Sequence, residues 1–214
     1  MIKEKTAGLA RYTVRDWVYV AVFGALWGAA ELTLGSYLHV LFPPLADTFV
    51  IGLIMAGLGS ILLLVGRCFV PRAGAVLMMG IITAVLKAFS LGGIVIGPIV
   101  AILAESLLIE IALLLTRQPV RWHFALAGSL AVSWNFFHKF IMMRLLFGKG
   151  IEAVYLKMIQ DGSRVLHLDV RYSLLILLIL FLVRVAVGAL CGWLAWDLGS
   201  AVQRRLAPAA APEE

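Results

Sequence analysis

The sequence predicts an all-α integral membrane protein: a bundle of six transmembrane helices with an amphipathic surface segment between the fifth and sixth helices. Three observations predict this fold class. Of the 214 residues, 63% are hydrophobic and only 14% are charged, whereas soluble domains have about 45–50% apolar and about 25% charged residues. The mean hydropathy is +1.02. Apolar runs long enough to cross about 30 Å of hydrocarbon recur along the whole chain.

The apolar runs define the elements and the domain limits. They cover residues 17–41, 48–66, 73–91, 94–116, 122–146 and 171–199. Proline, glycine and charged residues separate them, as in FPPLAD (42–47), RCFVPR (67–72), SLGG (90–93) and RQPVR (117–121), and such residues favour loops. We therefore expect an N-terminal arm (1–16), a membrane domain (17–199) and a C-terminal tail (200–214).

The long segment between the last two runs, residues 148–169, is the only sizeable polar stretch. Its apolar residues recur at spacings of three and four: Ile151, Val154, Tyr155, Met158 and Ile159. This periodicity predicts an amphipathic helix at the membrane surface.

The basic residues predict the orientation of the chain in the membrane. Lys and Arg occur in the N-terminal arm, in the second and fourth loops and in the C-terminal tail, but not in the first and third loops. Since short cytoplasmic loops are enriched in basic residues, we expect both termini to be cytoplasmic. The fifth loop departs from the rule with Lys149, Lys157, Arg164 and Arg171, and long loops follow it less strictly.

Several function classes find no support in the sequence. The net charge of +6 comes mostly from basic residues at helix ends, which topology explains without a nucleic-acid partner. The glycines of SLGGIVIGP (90–98) and FGKG (147–150) lack the spacing of a phosphate-binding loop, and HExxH and GxSxG motifs are missing. We therefore expect no catalytic residues, no metal site and no cofactor.

Polar residues inside the predicted spans mark the candidate site, because ionisable groups in a membrane are costly and usually face a bundle interior. Most of them converge on the outer half of the bundle, and Trp27 and Trp134 lie at mid-span as candidate aromatic walls. The predicted substrate-binding residues are Trp27, Glu31, Lys87, Glu105, Trp134, Asn135, His138 and Lys139. The alternative is that the charges only hold helices together, through pairs such as Lys87–Glu105 and Glu31–Arg184, with Glu110 in a structural role.

The first span also carries a row of small residues, with Ala21, Ala25 and Ala29 four positions apart and glycines beside them. Such a row lets another helix approach closely. Two interpretations stay open, which are packing within the chain and docking of a separate membrane subunit. Glu31 lies about 200° around the helix from Ala29, so it points away from the alanines.

Taken together, the alanine row in AVFGALWGAA (21–30) and the glycine-rich hairpin of LGGIVIGPIVAILAESLLIE (91–110) resemble the substrate-binding S component of energy-coupling factor (ECF) transporters. The resemblance covers about residues 15–200. It implies a bacterial or archaeal cytoplasmic membrane protein that binds a vitamin-like solute from outside, similar to the thiamine and hydroxymethylpyrimidine group. It further implies docking on a T component through Ala21, Ala25 and Ala29, with two cytoplasmic ATPase subunits.

Three other interpretations remain. In a stand-alone secondary transporter or channel, the intramembrane charges would form an ion or proton path, although six spans without an evident inverted repeat are less typical of that class. A membrane enzyme would use Glu105, His138 and Asn135 for acid–base chemistry. A structural scaffold would bind no ligand.

Overall fold

The computed structural model describes residues 12–41, 50–89, 96–116, 119–147 and 151–206. In these ranges the chain forms seven α-helices and no strand, so the all-α prediction is confirmed. The helices are α1 (Val14–Leu41), α2 (Gly52–Phe69), α3 (Ala75–Ala88), α4 (Ile96–Leu114), α5 (Arg121–Phe147), α6 (Ile151–Leu166) and α7 (Ser173–Leu206).

Four of the helices are long and apolar enough, by length and composition, to cross a membrane. These stretches are Val14–Leu34, Gly52–Phe69, Ile96–Leu114 and Val170–Arg205. Helix α3 has only 14 residues, about 21 Å at 1.5 Å per residue. Helix α5 has 27 residues but is less apolar than these four stretches, because it carries basic and polar side chains along its length. The apolar helices indicate a membrane location, and the crossings by α3 and α5 stay predictions.

Helix α2 lies at the centre of the bundle, in contact with α1, α3, α4, α5 and α7. Around it the contacts run from α1 to α3, α4, α5 and α7 in that order. The main core is built from fully buried side chains of these helices, among them Trp27, Leu63, Met79, Ile109 and Phe124. These contacts bring distant parts of the sequence together.

Glycines allow α5 and α7 to pack backbone against backbone. A Cβ atom at Gly188 would collide with the carbonyl oxygen of Gly128, and one at Gly192 would collide with that of Phe124. Gly188 and Gly192 stand four residues apart, the spacing that lets two membrane helices approach closely. This is the most extensive helix–helix contact in the described structure.

Helix α1 divides its small residues between two faces. Thr13 caps its start, where the Thr13 Oγ1 and backbone N–H both donate to Asp16 Oδ2 at 2.8 Å, in a capping-box arrangement. Gly24 and Gly28 are buried against α3, since a Cβ there would lie 2.8 Å from the Met79 carbonyl oxygen and 2.5 Å from Leu86 Cδ1, respectively. The alanine row faces outward.

The alanine face, defined as Ala21, Ala25 and Ala29, is exposed at all three positions. Its apolar neighbours Val22 and Leu26 are also about half exposed, at 46% and 51%. The exposure of the alanines in the described structure favours docking of a separate subunit over packing within the chain, the other interpretation of the sequence. The glycines provide the internal contact instead.

Helix α6 confirms the helix predicted between the last two spans. Met158 and Ile159 are buried in a second, smaller core with Phe136, Ile176 and Leu180. The apolar face of α6 thus covers α5 and α7, and its other face carries exposed residues such as Gln160 and Arg164.

Candidate functional site

An interior polar cluster, which consists of Glu31, Lys87, Glu105 and Asn135, lies where α1, α3, α4 and α5 meet. Each residue comes from a different helix, so only the folded bundle brings them together. All four side chains lie inside apolar helices, where an ionisable group costs several kcal/mol unless it is compensated.

Glu31 and Lys87 form the ion pair of the cluster. Lys87 Nζ lies 3.4 Å from Glu31 Oε2, and it also donates to the Glu31 backbone carbonyl at 3.1 Å. The two side chains are only 13% and 14% exposed. Helix α1 packs directly on α3, which explains why the first glutamate meets this lysine.

Glu105 lies beside this pair and is 4% exposed. Its carboxyl group lies within interaction range of the Asn135 side-chain amide and of the Glu31 carboxylate. Asn135 in turn sits over the start of α2, because a Cβ at Gly52 would lie 2.7 Å from Asn135 Oδ1. Among the described residues, Glu105 makes no salt bridge.

Trp27 is fully buried, one turn before Glu31 on the same helix. Its indole ring packs on the α2 backbone, since a Cβ at Gly59 would lie 2.6 Å from Trp27 Cε2. The buried indole N–H has no hydrogen-bond partner among the described residues. Trp27 therefore anchors this part of α1 to the main core.

The predicted residues on α5 extend the cluster along one helix. Trp134 and His138 have ring centroids 6.4 Å apart, and His138 is 8% exposed. Met142, one turn further, is also buried, so Asn135, His138 and Met142 share the inward face of α5. Lys139 belongs to α5, but its side chain lies outside the described part of the structure.

The predicted charge pairs were wrong in their partners. Lys87 pairs with Glu31 rather than with Glu105. Arg184 of α7 is buried and donates to the Leu180 carbonyl at 3.3 Å, with its guanidinium 5.7 Å from the Phe136 ring. Arg184 therefore belongs to the contact between α5 and α7 rather than to the Glu31 pair.

The structural role expected for Glu110 is supported by its contacts. Its carboxylate accepts hydrogen bonds from the backbone N–H groups of Gly74 at 2.7 Å and Val76 at 2.9 Å. These groups open α3, and a carboxylate at a helix N-terminus satisfies otherwise unpaired donors.

The sequence interpretation overlooked Gly52 and Gly59. They leave the space that Asn135 and Trp27 fill. The signal was present, because α2 contains the small residues of AGLGS (56–60) opposite a predicted mid-span tryptophan.

Chemically, the cluster offers two carboxyl groups, one ammonium group and one amide in a largely buried place. Such a set can hold a small polar solute by hydrogen bonds and charge, with Trp134 and His138 as aromatic neighbours. Within the described ranges, no three His, Cys, Asp or Glu side chains group together as metal ligands.

Comparison of the chain with models of known protein families, with characterised proteins and with solved structures gives no match.

Proposed function

We propose that this chain is the membrane-embedded, substrate-binding subunit of an ATP-driven importer of a vitamin or vitamin precursor, of the ECF S-component type. In this proposal six helices cross a bacterial or archaeal cytoplasmic membrane, with α3 and α5 among them, and both termini are cytoplasmic. The observation that carries the proposal is the interior polar cluster.

The cluster supports solute binding because burying polar side chains in an apolar bundle costs free energy, which favourable interactions with a solute would offset. Four helices each contribute one polar side chain to a single place in an apolar bundle, although helix association alone does not require charged groups. The Glu31–Lys87 pair offsets part of this cost, and Glu105 with Asn135 adds polar groups beyond that pair. A bound polar solute would provide hydrogen-bond and charge partners for these additional groups.

The alanine face supports docking of a partner subunit. Its three small, exposed side chains lie along one side of α1, while Glu31 turns inward to Lys87. A smooth face of small residues lets a second membrane helix approach closely. Because the sequence has no nucleotide-binding motif, ATP hydrolysis would belong to two separate cytoplasmic ATPases that assemble through a T component.

The second candidate is a stand-alone secondary transporter. It is favoured by the closeness of Glu31 and Glu105, since neighbouring intramembrane carboxyl groups are typical of proton and cation pathways. This protein would transport without partners, and its activity would follow an ion gradient rather than ATP.

Ligand binding tests the proposal. The purified chain is titrated in detergent with a panel of vitamins and vitamin precursors, and we expect one compound to bind. Glu31→Gln and Trp134→Ala should each weaken that binding about tenfold or more, equivalent to about 1.4 kcal/mol. Asp197→Asn, at an exposed ion pair with Arg121, is the control and should bind normally. Affinity that both cluster variants leave unchanged for every compound would contradict the proposed site.

A further inference from the structure

At the end of the bundle where α1 begins, four side chains form a second polar network, separate from the interior polar cluster. They are Tyr12, Asp16, Arg72 and Glu110, and we call them the latch. Asp16 and Glu31 are 15 residues apart on α1, about 22 Å at 1.5 Å per residue.

The latch ties α1 to the loop that leads into α3. Arg72 Nε lies 2.7 Å from Asp16 Oδ2, and the Tyr12 hydroxyl donates to the Ala73 carbonyl at 2.8 Å. The Arg72 guanidinium also lies 5.7 Å from the centre of the Tyr12 ring. Both side chains of the ion pair are nearly buried, at 13% and 12% exposed, so it is not a weak surface pair.

The same loop is tied to α4 from the other side. Glu110 is 3% exposed and binds the N–H groups of Gly74 and Val76. Gly74 has φ +86°, a conformation that glycine adopts without strain, and this turn directs its N–H toward Glu110. Burial, followed by the nearby Glu110 carboxylate, raises the pKa of Tyr12 to about 12, so the phenol keeps the proton that it donates to Ala73.

Further along, α1 and α3 stay joined. Thr83 Oγ1 donates to the Gly24 carbonyl at 2.8 Å, Gly28 packs on Leu86, and Lys87 binds Glu31. The two helices are thus connected along the whole length of α3. Helix α1 carries the alanine face, and α3 and α4 carry Lys87 and Glu105.

We propose that the latch makes α1, α3 and α4 one cooperative unit, so that the helix with the exposed alanine face cannot move without the helices of the interior polar cluster. The latch itself is independent of any partner. Its role in transmitting a docking event to the solute site rests on the proposed function. In this role Asp16 and Glu110 are positioning residues, since neither lies in the interior cluster.

Hydrogen–deuterium exchange of the full chain in detergent, read by mass spectrometry, tests the unit. Asp16→Asn should speed amide exchange at residues 74–78, the segment that Glu110 binds. Glu110→Gln should speed amide exchange at residues 13–20, the start of α1 that contains Asp16. We expect an increase of about tenfold or more in each case, because in one cooperative unit the loss of either contact weakens the other. Asp197→Asn is the control and should change exchange only near its own pair.

Exchange that rises only around the substituted residue would overturn the proposal, because the links would then be independent. If Glu110→Gln does not fold, Tyr12→Phe removes a single hydrogen bond of the latch and should still speed exchange at residues 74–78. This measurement involves no ligand or partner, so its outcome is separate from that of the proposed function.

Discussion

At the scale of single residues, the central feature is a buried ion pair that joins two helices. Glu31 and Lys87 lie 3.4 Å apart and are mostly shielded from solvent. Two charges removed from water stabilise the fold little compared with apolar side chains, but removing one of them leaves the other uncompensated. Removing one partner should therefore destabilise the fold much more than the intact pair stabilises it.

We predict that Lys87→Met lowers the free energy of unfolding by about 3–5 kcal/mol, because it leaves Glu31 buried without its cation. The double variant Glu31→Gln/Lys87→Met should recover most of that loss. Unfolding in mixed detergent–SDS micelles measures Lys87→Met, Glu31→Gln and the double variant in a double-mutant cycle. Purely additive losses would show that the two side chains do not interact.

Sequence alone identified which residues belong inside, but not which of them meet. Glu31, Lys87, Glu105 and Asn135 stood out because ionisable and polar groups are rare in apolar spans. Their partners depend on how each helix is rotated against its neighbours, and loops of a few residues do not fix that rotation. The sequence therefore makes Lys87–Glu105 a plausible pair, whereas in the fold the glycines of α1 bring α3 and its lysine to Glu31.

At the scale of helices, small residues determine how closely two helices approach. The face of the helix on which a small residue lies determines whether that contact is inside or outside the bundle. The glycines of α1, α5 and α7 are internal, whereas the alanines of α1 are exposed. The spacing of four predicted a packing face in α1 but could not distinguish an internal face from an external one. Burial in the folded bundle makes that distinction.

We predict that Gly188→Leu in α7 prevents normal folding, since its side chain would collide with the α5 backbone at Gly128. Ala186→Leu, two residues earlier at an exposed position of the same helix, is the matched control. Size-exclusion chromatography of a fluorescent fusion should show loss of the monodisperse peak for Gly188→Leu alone. A monodisperse Gly188→Leu protein would contradict the close contact of α5 and α7.

At the scale of the whole molecule, the helices surround α2 in one bundle, with the interior polar cluster toward one end and the latch at the other. The composition is enough to predict a membrane protein, because 63% hydrophobic residues is well above the about 45–50% of soluble domains. The number of crossings is harder to predict, because α3 is short and α5 carries the polar residues of the candidate site.

We predict that both of these helices cross the membrane. Truncated chains fused to alkaline phosphatase should be active after Phe89 and Phe147, which would lie outside. Fusions to green fluorescent protein should fluoresce after Thr116 and at the end of the chain, which would be cytoplasmic. Fluorescence of the fusion after Phe147 would show that α5 does not cross.

The proposed assembly is tested most directly by co-purification of the tagged chain from the membranes of its source cell. We predict that wild type and Glu31→Gln recover one membrane T subunit and two ATPases with ATP hydrolysis activity. Ala25→Leu, which places a large side chain on the exposed alanine face, should lose all three subunits, while Ala186→Leu on α7 retains them. A wild-type chain that purifies without these subunits, or an Ala25→Leu chain that keeps them, would contradict the account.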